Sequence, residues 1–503
     1  MRLSDYEASF LYAETPATPM HRVCIAVIDG VVDADEVTAL LSARLHMQPK
    51  LRQCLGFVPF NLAHPVWTDA SSFDLSEHIH SIRLNKRRID RVIEEVAAAC
   101  GTLLDRSRPL WRLLVARGVP KRTVVVSIMH QSMVGTGSPL DILNTLFDLS
   151  PNTAEAQQPP AWQPQSIGNA MQLASDAILE NTQTFSRKAR QLASFSEQNG
   201  ELIQRATESV TRFLTEPVYS APWNERLVGS SRSIVSCQLP SGELRKIRNA
   251  FGGSINDIVN AICLEGAARY LAHHNHDVGD SHLRIMCPVT IRREDEHGVR
   301  GNRASAIFPV FDAHTMSATE RLKHVRWETE SIKHNREAQA LQLLTELAPP
   351  LPPAPQINTQ SSFFRTPVLN FANFNPIEWL GQFNPGPLTD GMRGPFARLS
   401  NMAGFNFALA TVPGSQATQF LCGHPVADIF TIPVLAANLG LGISVTNYIQ
   451  STNLTFASDP EQLPDLDRLV GFAHEVAAEL LDQATAQSSN DPSSGSPEAV
   501  INA

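Results

Sequence analysis

Apolar and polar positions along this chain follow two alternating regimes. The apolar runs Val23 to Asp29 and Thr123 to Met129 are short and β-branched, which predicts strands. Asp35 to Leu45 and Asp90 to Leu103 carry apolar residues at helical spacing, so from Met1 to about Asp148 strands and helices alternate. Ser150-Pro151-Asn152-Thr153 breaks that pattern, and Gln157-Gln158-Pro159-Pro160-Ala161-Trp162-Gln163-Pro164 is linker chemistry. Ala170 to Leu214 then reads as a long helix, polar over most of its surface and interrupted near Gly200.

A second α/β pattern opens near Ser231. Ser233 to Leu239 reads as a strand, and Ile255 to His273 as an apolar helix with Ser254 as N-cap and Asp257 three residues on. Strands are predicted over Leu283 to Ile291, Ala304 to Phe311, Phe405 to Val412, Ala417 to Leu421 and Leu441 to Asn447. Ala348 to Pro355 is a stiff Pro-rich connector, 356–398 carries no assignable pattern, and Asp465 to Asp482 is a closing amphipathic helix. The expected organisation is a first α/β domain over 1–150, a linker with a long helix over 151–230, a second α/β domain over 231–485 and a disordered tail over 486–503.

Composition narrows the function classes. With 43% hydrophobic and 18% charged residues the 503-residue chain is globular and too long for one core. A formal net charge of -9 without any Lys/Arg block excludes nucleic acid as the expected partner. Seven scattered cysteines without a Cys-x-x-Cys pair fit reduced, buried thiols. Acidic residues at Asp5 and Glu7 leave no signal-peptide run, and no segment is apolar enough for a transmembrane helix, so the expected location is cytoplasmic.

The most informative stretch is Val125-Val126-Ser127-Ile128-Met129-His130-Gln131-Ser132-Met133-Val134-Gly135-Thr136-Gly137-Ser138, an apolar strand entering a His-led turn before a helix over Leu140 to Phe147. Other segments have the same character of short signatures. Leu3-Ser4-Asp5-Tyr6-Glu7-Ala8-Ser9-Phe10-Leu11 is followed by Glu14-Thr15-Pro16 and Pro19-Met20-His21. Phe73-Asp74-Leu75-Ser76-Glu77-His78, Pro109-Leu110-Trp111, Asn256-Asp257, Pro288-Val289-Thr290-Ile291-Arg292 and Gly301-Asn302-Arg303 complete the set. Together they resemble the bacterial wax ester synthase/diacylglycerol acyltransferase family of the CoA-dependent acyltransferase superfamily, over nearly the whole chain.

The resemblance implies two acyltransferase-like halves, each a mixed sheet flanked by helices, with a tunnel between them. It implies acyl-CoA as substrate, a lipid alcohol as acceptor, no cofactor, and contact with a membrane or lipid-droplet surface. It also exposes an edited active site. Against the family's His-His-x-x-x-Asp-Gly, Gln131 stands at the second, catalytic His, Gly135 at the Asp and Thr136 at the Gly. A register shifted by one residue instead puts His130 on the catalytic position and Val134 on the Asp. Arg292 is the Arg that the family's Asp would pair with, and Ala410-Thr411-Val412-Pro413-Gly414-Ser415 resembles Ser-Asn-Val-Pro-Gly-Pro with its first pair replaced.

Acyl transfer to an alcohol needs a base, and imidazole suits that task because it titrates near working pH. Gln131 can only hold a hydroxyl by hydrogen bond. Two readings of His130 follow: a relocated base, or a structural histidine closing a strand. Two readings of the chain follow with them: an O-acyltransferase making triacylglycerol or wax ester, with His130 and Gln131 as its catalytic pair, or a non-catalytic lipid-, acyl-CoA- or protein-binding descendant. Gly135, Thr136, Arg292, Asn256 and Asp257 are expected to be architectural. His273-His274-Asn275-His276-Asp277 reads as a helix end, not a metal site. Phe363, Phe364, Phe371 and Phe374 are candidates for a lipid entrance or, more simply, for packing under a loop.

Overall fold

A computed structural model describes residues 1–59, 62–85, 93, 95–96, 101–134, 141–152, 162–165, 169–195, 204, 208, 216, 218–290, 304–335, 405–436 and 439–489. Its elements are α1 (Asp5–Ala13), β1 (His21–Ile28), α2 (Ala34–Arg44), β2 (Gln53–Gly56), β3 (Val66–Asp69), β4 (Ile79–Arg83), β5 (Trp111–Arg117), β6 (Thr123–His130), α3 (Asp141–Leu146) and α4 (Ala170–Phe195). The second half adds β7 (Ser233–Pro240), α5 (Ser241–Phe251), α6 (Ile255–His273), β8 (His282–Thr290), β9 (Ala304–Ile307), β10 (Val310–Asp312) and α7 (Ala318–His334). It ends with β11 (Phe407–Val412), β12 (Phe420–Leu421), β13 (His424–Ile432), β14 (Leu441–Tyr448), β15 (Ser451–Ser458) and α8 (Leu466–Ser489).

The first sheet runs β12-β13-β1-β6-β5-β4 and the second β10-β8-β11-β14-β15-β7, with β9 on β8. Both are mixed: β4 runs parallel to β5, β11 parallel to β8 and β14, and the other neighbours are antiparallel. Every position of β6 is buried, as expected of a Val/Ile run covered on both faces. Cys24, Ala26, Val125 and Met129 pack under Leu11 of α1, Leu41 of α2 and Leu143 of α3. The opposite face, with Val23, Ile25, Val126 and Ile128, packs against Val228, Ile234, Leu435 and Ala457 of the second half. The two halves therefore meet on one face of the first sheet.

The second sheet is just as asymmetric. Ile443, Val445, Leu454 and Phe456 bury themselves against Ile258 and Ile262 of α6 and Leu469, Val476 and Leu480 of α8. Ladder partners share a face, so the reverse side carries Ala408, Ala410, Gly442, Ser444, Thr446, Asn453 and Thr455. That side is small and polar because β13 crosses it. Thr431 Oγ1 lies 2.6 Å from Thr446 Oγ1, and Asp428 accepts from Asn453 Nδ2 at 2.6 Å and Gln238 Nε2 at 2.8 Å. Residues 420–432 thus complete the first sheet from the second half of the sequence, a crossover that a division along the chain does not express. Two glycines permit close approach here. A Cβ on Gly414 would lie 1.7 Å from the Asn447 carbonyl oxygen, and one on Gly30 would lie 2.2 Å from the His424 ring.

The helix starting at Ser254 has its capping box: the Ser254 side chain accepts from the Asp257 amide, and Asp257 accepts from the Ser254 amide at 2.7 Å. Asp257 Oδ1 also accepts from Thr329 Oγ1 at 2.9 Å, tying α6 to α7. The segment Ala304 to Phe311 is two strands rather than one, divided at Phe308 and Pro309. Proline has no N–H for a ladder, and the Pro309 carbonyl accepts from the Ile285 amide instead. Ala417 to Leu421 contributes only Phe420–Leu421 as strand, and Leu103 lies outside any helix. Most of 90–100, most of the helix expected beyond Phe195, the connector at Ala348 to Pro355, the phenylalanines of 356–398 and the tail after 489 lie outside the described residues.

Candidate active site

β1 and β6 are antiparallel with His21 directly opposite His130, so two imidazoles project from the same edge of the first sheet. Their side is the face that meets the second half, because Val23 and Ile25, two and four residues on, belong to that interface. The rings lie edge to face, centroids 6.2 Å apart. Backbone bonds fix the strand end: the His130 amide donates to the Leu110 carbonyl at 2.9 Å and the Gln131 amide to the Met20 carbonyl at 2.8 Å.

A carboxylate completes the cluster. Glu14 follows α1 as its C-cap, and its Oε1 lies 3.5 Å from His21 Nε2 and 3.4 Å from His130 Nε2. Oε1 also accepts from the Met20 amide at 3.1 Å, and Oε2 accepts from Arg106 Nη2 at 3.1 Å. Glu14, His21 and His130 keep only 3%, 2% and 1% of their side-chain surface exposed. Burial alone would push the Glu14 carboxyl up. The hydrogen bond and charge of His130, the Arg106 guanidinium and the Met20 amide outweigh it and hold the group at about 2. Glu14 is therefore an ionised carboxylate at any working pH.

His130 turns its other nitrogen back on its own chain. The Ser132 amide donates to Nδ1 at 3.1 Å, capping the one-turn 3₁₀ helix Gln131–Met133, and Ser132 Oγ lies 2.7 Å from the same nitrogen. With Nδ1 accepting from an amide, the neutral ring carries its proton on Nε2, facing Glu14. Ser132 is fully buried, while Gln131 between the two is half-buried.

The structure brings His130 and Gln131 together at this edge, whereas Gly135, Thr136 and Arg292 fall outside the described residues. Asn256 and Asp257 open α6 in the second half; Asn256 is exposed and Asp257 buried. Thr411 Oγ1 donates to Asn256 Oδ1 at 3.5 Å, which joins the Asn-Asp signature to the end of β11. Sequence reasoning did not single out Glu14, His21 or Arg106 as site residues. The available signal was a Glu-Thr-Pro and a Pro-Met-His on either side of a short loop. What they meet 116 residues later depends on strand register.

Other signatures have structural roles. The His78 ring stacks on Trp111, at 4.5 Å, and on Phe73, at 5.3 Å, while Trp111 Nε1 donates to the Leu51 carbonyl at 2.7 Å. At the end of α6, His274 Nε2 meets Asp465 Oδ2 at 2.9 Å, and Tyr270 donates to Asp465 Oδ1. Among the described residues no group of three or more His, Cys, Asp or Glu is arranged to hold a metal ion. No described helix is long and apolar enough to cross a membrane.

Residues 3–259 match the wax ester synthase/diacylglycerol acyltransferase catalytic domain, and residues 300–480 match the C-terminal domain of the same family. Among curated proteins, a Mycobacterium tuberculosis H37Rv protein named "Putative diacyglycerol O-acyltransferase" is 25% identical over 495 residues, 96% of this chain and 90% of that one. The structure of the wax ester synthase/diacylglycerol acyltransferase from Marinobacter aquaeolei VT8 superposes with a TM-score of 0.61 at 16% identity, covering 96% of this chain and 100% of that one. The first condensation domain of the calcium-dependent antibiotic synthetase follows the same fold, with a TM-score of 0.57 at 12% identity and 96% of each chain covered. The catalytic-domain match alone spans more than half of the 503 residues, and the chain belongs to the wax ester synthase/diacylglycerol acyltransferase family, whose chemistry is acyl transfer from acyl-CoA.

Proposed function

We propose that this chain transfers an acyl group from acyl-CoA to the hydroxyl of a lipid alcohol at the His130–Gln131 edge, where the first sheet meets the second half. The observation that carries the reading is the buried Glu14–His130–Ser132 array beside Gln131. An imidazole held between an ionised carboxylate and a hydroxyl can accept a proton without leaving its place. The proton that leaves the attacking hydroxyl passes to Ser132 Oγ as the Ser132 hydroxyl gives its own to Nδ1; the Ser132 amide then gives up its bond to Nδ1, and Glu14 offsets the added charge through Nε2–H. In this reading His130 is the base and the Gln131 amide holds the attacking hydroxyl. Gly135, Thr136 and Arg292 then have an architectural rather than a chemical role, as do Asn256 and Asp257 at the start of α6. The inter-half face, where Ala408 and Ala410 are partly exposed, would form the wall of a tunnel.

Contact with a lipid surface is part of the same proposal. Helix α4 docks through the buried Ala177 and a bond from Asn181 Nδ2 to the Leu62 carbonyl, leaving Met171, Ile178 and Leu179 outward at 81%, 56% and 60% exposure. Outward apolar residues on a helix fit a bilayer or droplet boundary. The test is ester formation from palmitoyl-CoA with diacylglycerol presented on vesicles, beside hexanol in solution. Ile178→Asp with Leu179→Asp is expected to lower vesicle turnover about tenfold and leave hexanol turnover unchanged. Equal turnover on vesicles would remove the lipid-contact role, and CoA release without any ester would replace acyl transfer by hydrolysis.

A further inference from the structure

Arg232 of the second half bonds to the loop that carries Glu14 at one end and Met20–His21 at the other. Within the loop, Thr15 and Thr18 exchange backbone bonds and their hydroxyls lie 2.7 Å apart, so it is a preformed turn. Arg232, just ahead of β7, donates from Nη2 to the Ala17 carbonyl at its tip. The same guanidinium donates from Nη1 to the Gly229 and Ser231 carbonyls, at 2.6 and 2.7 Å. Those carbonyls belong to a segment that is itself anchored. The Gly229 amide donates to Asp459 Oδ2 at 2.7 Å, Gln462 Nε2 donates to the same oxygen at 3.0 Å, and the Asp459 amide donates to the Gly440 carbonyl at 3.0 Å. A continuous chain of bonds thus runs from the end of β15 through Asp459, Gly229 and Arg232 to Ala17, and from there along the loop to Glu14 and His21.

The arginine is well suited to this work. Its planar fork reaches three carbonyls at once, and burial pushes its pKa down while the Asp459 carboxylate opposes that change. Lysine would supply the charge but only a single ammonium centre.

We propose that Arg232 is a positioning residue: it locks the 15–19 loop to the second half, so that Glu14 stays between His21 and His130 only while the halves are seated. The role in turnover rests on the acyl-transfer reading above, whereas the locking of the loop does not. The experiment is Arg232→Met and Arg232→Lys in the full chain, followed by hydrogen exchange and by steady-state kinetics with palmitoyl-CoA. In Arg232→Met, amides of 14–21 are expected to exchange at least about tenfold faster while those of α6 keep their protection. The kcat is expected to fall about tenfold with KM for acyl-CoA unchanged, and Arg232→Lys is expected to recover part of it. Unchanged exchange at 14–21, or a loss of protection spread equally over α6, would overturn the proposal. A wild type without turnover would sink the acyl-transfer reading and leave the exchange data to decide whether Arg232 holds the loop.

Discussion

Glu14→Gln is expected to remove about 3 kcal/mol of stability at pH 7, a large share of what a domain has in hand. The carboxyl sits at about 2 in the folded chain against an ordinary value of 4.5. A group whose folded value is depressed contributes stability that is complete above its ordinary value and disappears as pH falls toward the folded one. The wild type is therefore expected to lose this contribution between about pH 5 and pH 2, and the variant to show no such slope there. Glutamine keeps the shape and can still accept from Arg106, but it brings no charge to the two imidazoles. Urea unfolding of both proteins at pH 7 and pH 4 measures the effect: the difference should be large at pH 7 and begin to shrink at pH 4. Equal stability at pH 7 would show that the carboxylate is not held as the geometry indicates. Turnover should fall in parallel, because an imidazolium at His130 would lose its counter-charge.

The second large effect is a gain. Gln131→His, Gly135→Asp and Thr136→Gly together rebuild the family motif on a strand end whose backbone is already fixed by Met20 and Leu110. His130 already supplies a base in the wild type, so the gain comes from placing a base and its acid at the family's own positions, and a misplacement of about 1 Å can cost about 10²-fold. The triple variant is expected to release CoA at least about a hundredfold faster than the wild type, measured with a thiol reagent under saturating palmitoyl-CoA and diacylglycerol. Gln131→His alone should recover less, since the motif acid would still be missing. A folded triple variant no faster than the wild type would mean that the edit at these three positions is not what limits turnover.

Much of the fold was legible because its signals are local. Thr123–His130 is a mostly β-branched run, and Ile255–His273 announces itself through Ser254 and Asp257. His424–Ile432 was not legible: Pro425 and Asp428 interrupt its apolar run, yet Asp428 is satisfied by Asn453 and Gln238 from other strands. Trp111–Arg117 was legible only through its first residue, in the signature Pro109-Leu110-Trp111, since Arg112 and Arg117 interrupt its apolar run. At the site, the motif drew attention to His130 and Gln131. Its acid, Glu14, entered only as part of an opening signature, because the pairing with His130 arises from the β1–β6 register and from Arg106, none of which periodicity can show. The two readings of His130 also describe one geometry. Ser132 bonds the ring at the strand end, and its Nε2 lies 3.4 Å from Glu14 Oε1.

The most direct measurement of the central claim is CoA release and ester formation by purified protein given palmitoyl-CoA with diacylglycerol or hexadecanol, with His130→Ala beside it. The account predicts slow, acceptor-dependent ester formation in the wild type and its loss by about a hundredfold or more in His130→Ala. Turnover that survives the substitution would contradict His130 as the base. A folded wild type that forms no ester would contradict acyl transfer by this chain and leave the fold as a binding scaffold.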